Sequence, residues 1–319
     1  MIVPSLPVSV LSYELLGALG CSDYRSSRLA GEPFARVAGA NALAYGCAMR
    51  LIQYEDLLAC LECSVTDGGR YTLPNLKMQY HRIYGGQLIA QAIVIAAASA
   101  PGKSVTSVHS LLVREGDAGT PVDFEVGAIQ DGRSFAARTI VARQAGRVIY
   151  SAQVSLRAHE EGLEHQVHRP DVGGPDDASA VELSMIPWET RSVAGVDLSS
   201  KSQGLAEYSV WMRAPSLDEA LPIHQALLAH SATLCLLGTA LRPFEGLSEV
   251  DVHVNLLAAA TSHTIWFHRP LRVDAWLLLH HESPTVSGAR GFGTAHVFGE
   301  DGALVASFAQ ESLLREMGA

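Results

Sequence analysis

The chain has 319 residues, enough for two ordinary domains, and 48% of them are hydrophobic, which describes a well-packed globular protein rather than a disordered or fibrous one. A formal net charge of −10 argues against a nucleic-acid binder, because phosphate backbones demand clustered Lys and Arg. It leaves room for a ligand whose few phosphates need only two or three basic side chains.

Taken in chain order, residues 2–20 are apolar but carry Pro4, Pro7 and Glu14, with no basic residue before Arg25. That stretch lacks the charged start of a secretory signal, so a cytoplasmic location is expected. Residues 1–48 match nothing further along and read as an extension. Tyr54 to Leu61 reads as a helix, and Cys60-Leu-Glu-Cys63 overlaps its end. A zinc site needs four ligands and no second pair stands at useful spacing, so no metal or other cofactor is expected. Five scattered cysteines suit a reducing compartment. After Gly85-Gly86-Gln87 comes a helix, Leu88 to Ser99, apolar on nearly every face and therefore buried. No apolar run reaches the roughly 20 residues of a membrane span.

The next segments alternate like strands. Val122 to Ile129 leads through Asp131-Gly132 into Ser134 to Arg143, and Ala145-Gly146 leads into Val148 to Leu156. Asp-Gly suits a two-residue hairpin because both positions tolerate positive φ. Residues 161–205 are rich in Asp, Pro and Gly and read as a linker. A second apolar helix runs from His224 to Gly238. Strands follow at Ala275 to His280, at Arg290 to Phe298, and, after Asp301-Gly302, at Leu304 to Leu313.

The two blocks repeat one another. Residues 152–156 read AQVSL and residues 309–313 read AQESL, an offset of 157, and Arg114 and Arg269 also correspond. One buried helix followed by four or five antiparallel strands, occurring twice, predicts an α+β double hotdog. Its first unit is 49–160, its linker 161–205 and its second unit 206–319. Pairing the two sheets would cover their edges and leave a cleft between the copies.

Several motifs resemble one family. Tyr84-Gly-Gly-Gln-Leu-Ile-Ala-Gln-Ala, His109-Ser with Arg114-Glu-Gly-Asp, and Asp131-Gly-Arg-Ser-Phe-Ala-Ala-Arg138 occur in the order found in acyl-CoA thioesterases of the TesB type. Trp266-Phe-His-Arg-Pro270, Ser287-Gly-Ala-Arg-Gly291 and the stretch from Asp301-Gly to Ala309-Gln-Glu311 complete the resemblance, which covers about residues 50–317. It implies an acyl-CoA substrate, hydrolysis to free acid and CoA in lipid metabolism, and a homo-oligomer formed through the sheets. It also implies an Asp, a Ser or Thr and a Gln that together hold the attacking water. The Gln falls on Gln310. The Asp position is occupied by Thr233 and the hydroxyl position by Ala260, while Ser262 stands where a further Asp is usual; His263 keeps the family identity.

A threonine hydroxyl cannot accept a proton near neutral pH, and losing a general base costs a factor of about 10²–10⁴. Three readings stay open. Thr233, Gln310 and a hydroxyl from Ser262 or Thr261 still bind a water and hydrolysis is weakened; a histidine, His230 or His263, supplies the base; or the fold binds acyl-CoA without cleaving it. A hotdog hydratase or dehydratase is a further enzymatic alternative. Gln153, the apparent twin of Gln310, fits a plainer role for both as buried amides.

Overall fold

The computed structural model describes residues 52–63, 65–66, 69–76 and 81–317. The proposed extension 1–48 lies outside them. Helix α1 spans Tyr54–Ala59, α2 Gly85–Ser99, α3 Leu221–Ala232 and α4 Cys235–Leu241. Strands β1 and β2 are Val65–Thr66 and Arg70–Leu73; β3 to β6 are Ser104–Leu112, Val122–Asp131, Phe135–Gln144 and Arg147–Arg157. Strands β7 and β8 are Ser179–Ala180 and Glu189–Ser192, β9 is Glu207–Arg213, and β10 to β13 are Leu256–Phe267, Leu277–Ser287, Arg290–Gly299 and Leu304–Glu316.

All of these strands join one sheet, in the order β1-β2-β4-β5-β6-β3-β10-β13-β12-β11-β9-β8-β7. The order reads the same from either side of the β3–β10 seam, so each half is a hotdog unit wrapped on its own helix. Helix α2 is buried from Gly86 to Ala96, as its all-round apolar surface requires. The linker is not separate from the fold: β7 and β8 lie within 161–205 and extend the second half beyond β9.

The second apolar helix, expected to be continuous, breaks at Thr233-Leu234. Ser231 Oγ donates back to the Leu227 carbonyl, and the Leu234 N–H bonds three residues back to Ser231, which tightens the turn. Residues 221–241 are together long and apolar enough to cross a membrane by composition, yet they are interrupted here and mostly buried within the protein.

Two of the hairpins follow local chemistry, whereas at Asp131-Gly132 neither residue takes positive φ and the turn falls instead at 133–134, where the Gly132 N–H bonds the Phe135 carbonyl. Ala145 and Gly146 both take positive φ, as do Gly288 and Ala289, which is the backbone that matches the right-handed twist of the flanking strands. The repeat needs a correction of one residue. Ile149 is bulged in β6 and Val305 in β13, and each accepts the N–H groups of two consecutive residues at the end of β3 or β10: Val113 and Arg114, or His268 and Arg269. The structural offset is therefore 156 between β6 and β13. Gln310 corresponds to Val154, and Gln153 lies on the outer, exposed face. A shift of one residue in a strand sends every side chain to the other face. Gln153 is no twin.

Candidate active site

Gln310 points inward from β13, 2% exposed, directly across from His263 on β10, 1% exposed. The amide orientation follows from its partners. Gln310 Nε2 lies 3.5 Å from the Thr233 carbonyl oxygen and donates to Ser312 Oγ at 3.0 Å. A backbone carbonyl only accepts, so the NH₂ end faces α3 and Oε1 faces His263 Nδ1 at 3.2 Å. In the first half the matching pair is Val108 opposite Val154, both buried and apolar. The polar pair belongs to the second half.

Thr233 caps the C-terminus of α3, where its Oγ1 donates to the Tyr84 hydroxyl at 2.6 Å. That hydroxyl in turn bonds the His230 carbonyl at 3.1 Å. Tyr84 is the N-cap of α2, so the start of one helix is tied to the end of the other. Gly86 makes this approach possible: a Cβ there would stand 2.4 Å from the His230 carbonyl oxygen. The first-turn N–H groups at Gly85 and Gly86 have no acceptor within their own helix and carry the positive end of its dipole.

Burial pushes the histidines down. His263 and His230 are each lowered to about 4 by loss of hydration, opposed weakly by a hydrogen bond to Gln310 and to the Met185 carbonyl respectively. Both are neutral at pH 7. Burial pushes the Tyr84 phenol up, so it stays protonated as well. The site is a neutral, hydrogen-bonded interior with no carboxylate among the partners just described.

Of the residues the sequence nominated, the fold unites Thr233 and Gln310 but sets Ser262 apart. Thr261 is the extra residue of a bulge in β10, so Ser262 pairs with Glu311 on one side and Leu111 on the other. Glu311 and Leu111 are both exposed, and directly opposed residues share a face. Ser262 therefore faces outward. Thr261 donates to Glu311 on that exposed side, at 2.9 Å to Oε1. The hydroxyl on the Gln310 face is Ser312, buried and paired with Ala260. Its signal was available: two residues apart on a strand means the same face. The role of Tyr84 had no comparable signal. His268 bonds Ser307 Oγ on the exposed side, and burial pushes the Cys63 thiol up, away from a reactive thiolate.

Comparison with known proteins bears on this site. Residues 73–157 match the acyl-CoA thioesterase N-terminal domain and residues 161–314 the acyl-CoA thioesterase C-terminal domain. Acyl-CoA thioesterase 2 of Haemophilus influenzae is 30% identical over 258 residues, covering 74% of this chain and 88% of that protein. Human acyl-coenzyme A thioesterase 8 is 29% identical over 262 residues, covering 73% of this chain and 81% of that protein. Among solved structures, the acyl-CoA thioesterase II TesB2 of Mycobacterium marinum superposes with a TM-score of 0.70 at 29% identity, over 82% of this chain and 98% of that one. A hot dog fold protein from Alicyclobacillus acidocaldarius, at 20% identity and a TM-score of 0.65 over 81% of this chain and 97% of that one, supports the fold alone. With both domains matched in order across most of the chain, this protein belongs to the TesB-type acyl-CoA thioesterase family.

Proposed function

We propose that the protein hydrolyses fatty acyl-CoA thioesters to the free acid and CoA, with the attacking water held between Gln310 and Thr233. The observation that carries this is the convergence of the Gln310 amide, the Thr233 hydroxyl and the first turn of α2 in one buried place. Gln310 Nε2 can give the water the hydrogen that otherwise makes the long 3.5 Å contact to the Thr233 carbonyl, and Thr233 Oγ1, whose own hydrogen goes to Tyr84, can accept one. The N–H groups near Gly85 and Gly86 are suited to a developing oxyanion, where fixed dipoles cost no reorganisation. Ser262 has no part in this arrangement.

The test is release of free thiol from acyl-CoAs of graded chain length by the wild type and by Gln310→Ala. Removing one preorganised donor costs about 10²–10³ in rate, so Gln310→Ala should lower kcat by about 100-fold or more. If both proteins are silent while acyl-CoA still raises Tm, the fold binds without cleaving and the hydrolytic reading is wrong.

We also propose that copies associate through the outer sheet face. Leu111, Ser262, Glu311 and Phe292 form one row across β3, β10, β13 and β12 there. Leu111 and Phe292 are exposed, as is nearby Trp266. Sedimentation would decide it.

A further inference from the structure

Three hydroxyls lie along residues 221–241, and two of them behave as helix hydroxyls ordinarily do. Ser231 Oγ donates to the Leu227 carbonyl at 3.0 Å and Thr239 Oγ1 to the Cys235 carbonyl at 2.8 Å, each one turn back in the chain. Thr233 departs from that pattern. Its Oγ1 bonds the Tyr84 hydroxyl at 2.6 Å, 149 residues away, and that hydroxyl meets the His230 carbonyl at 3.1 Å.

The direction of this relay is fixed at its far end. A backbone carbonyl only accepts, so the single Tyr84 O–H points at His230. Toward Thr233 the phenol oxygen must therefore accept, and Thr233 must donate. Burial pushes the Tyr84 phenol up, so its hydrogen is always present to make the outer bond. With its own hydrogen committed, Thr233 Oγ1 offers only lone pairs to anything else that approaches. That oxygen also lies beside the first turn of α2, where a Cβ on Gly86 would stand 3.0 Å from it.

The opposite orientation would defeat the site. A water molecule has two hydrogens and two lone pairs, and attack on a carbonyl carbon needs one lone pair free. Gln310 Nε2, a donor, takes one of them. If Thr233 donated as well, both would be taken, and the water would be held but unable to attack. Because Thr233 accepts, the second lone pair stays open to the thioester.

We infer that Tyr84 is a positioning residue for hydrolysis: it holds the Thr233 hydroxyl as an acceptor and so keeps one lone pair of the water free. This rests on the hydrolytic reading above. Tyr84 acts through Thr233 and need touch neither water nor substrate.

Tyr84→Phe keeps the ring, with its edge-on contact to His230 at 5.0 Å between centroids, and removes only the hydroxyl. Losing the bond that fixes Thr233 should lower kcat about five- to tenfold, the scale of one such hydrogen bond, with KM held within about threefold. The decisive comparison repeats the exchange in a Thr233→Val background, where no hydroxyl is left to orient. There Tyr84→Phe should change kcat by less than about twofold. An equal loss in both backgrounds would overturn the inference, since a residue that merely braces the two helices acts the same with or without the Thr233 hydroxyl. So would a Tyr84→Phe enzyme with wild-type kcat. If a variant does not fold, or Thr233→Val is too slow to measure, neutron diffraction of the wild type decides. The Thr233 hydrogen should point at the Tyr84 oxygen; a Tyr84 hydrogen pointing at Thr233 instead would overturn the inference. A wild type silent on every acyl-CoA removes the hydrolytic reading and this one with it, whereas an active wild type with equal losses in both backgrounds removes only the role of Tyr84.

Discussion

Between pH 6.5 and 4 the folded state is expected to lose stability steeply, because three buried histidines must be charged to follow the unfolded chain. His230, His263 and His281 are fully buried, and loss of hydration lowers each to about 4. In the unfolded chain a histidine titrates near 6.5. Within that interval the unfolded state binds more protons, so unfolding free energy rises with pH. The stability gained by keeping the rings neutral is complete above pH 6.5 and drains away as pH falls toward 4. Each ring accounts for up to about 3 kcal/mol over the interval, and three together rival the whole stability of an ordinary domain. Urea midpoints at pH 7.5, 6.0 and 5.0 should therefore fall sharply. His281→Asn keeps a donor for the Tyr208 carbonyl and should cut the slope by about a third. A midpoint flat from pH 7.5 to 5.0 would contradict the burial of these rings.

Gly86→Ala should cost about 3 kcal/mol and abolish most activity. The added Cβ would sit 2.4 Å from the His230 carbonyl oxygen, 2.6 Å from Tyr84 Cε1 and 3.0 Å from Thr233 Oγ1. A flexible side chain could swing away, but a helical carbonyl cannot, so α2 and α3 must part. Overpacking of this kind costs typically 1–3 kcal/mol and occasionally more. For a chain of this size the loss corresponds to a fall in Tm of roughly 6–12 °C. The same separation would pull Thr233 from Tyr84 and loosen the water site. Gly162→Ala, with open space around its Cβ position, is the silent control. A Gly86→Ala protein with wild-type Tm and kcat would show that the helices do not meet there.

What was legible in the sequence was what near neighbours decide. The all-round apolar surface of residues 88–99 gave a buried helix, because such a surface has no stable alternative in water. Ala145, Gly146 and Gly302 gave turns, because the positive φ they adopt is available to few residues. Repetition of that pattern carried the double hotdog, and the ordered motifs carried the family.

What failed was phase. The AQ pentapeptides match at 157 while the strands match at 156, because the bulges at Ile149 and Val305 set the pleat and local sequence does not mark them. The bulge at Thr261 likewise turned Ser262 outward and left Ser312 on the Gln310 face. The sequence alone determined the first buried helix, the Ala145-Gly146 turn and the family, since these depend on residues within a few positions of one another. Only the tertiary structure decided which hydroxyls and rings meet. Tyr84 reaches Thr233 across 149 residues and His263 reaches Gln310 across 47, and contacts at such separation are fixed by how the sheet folds around both helices.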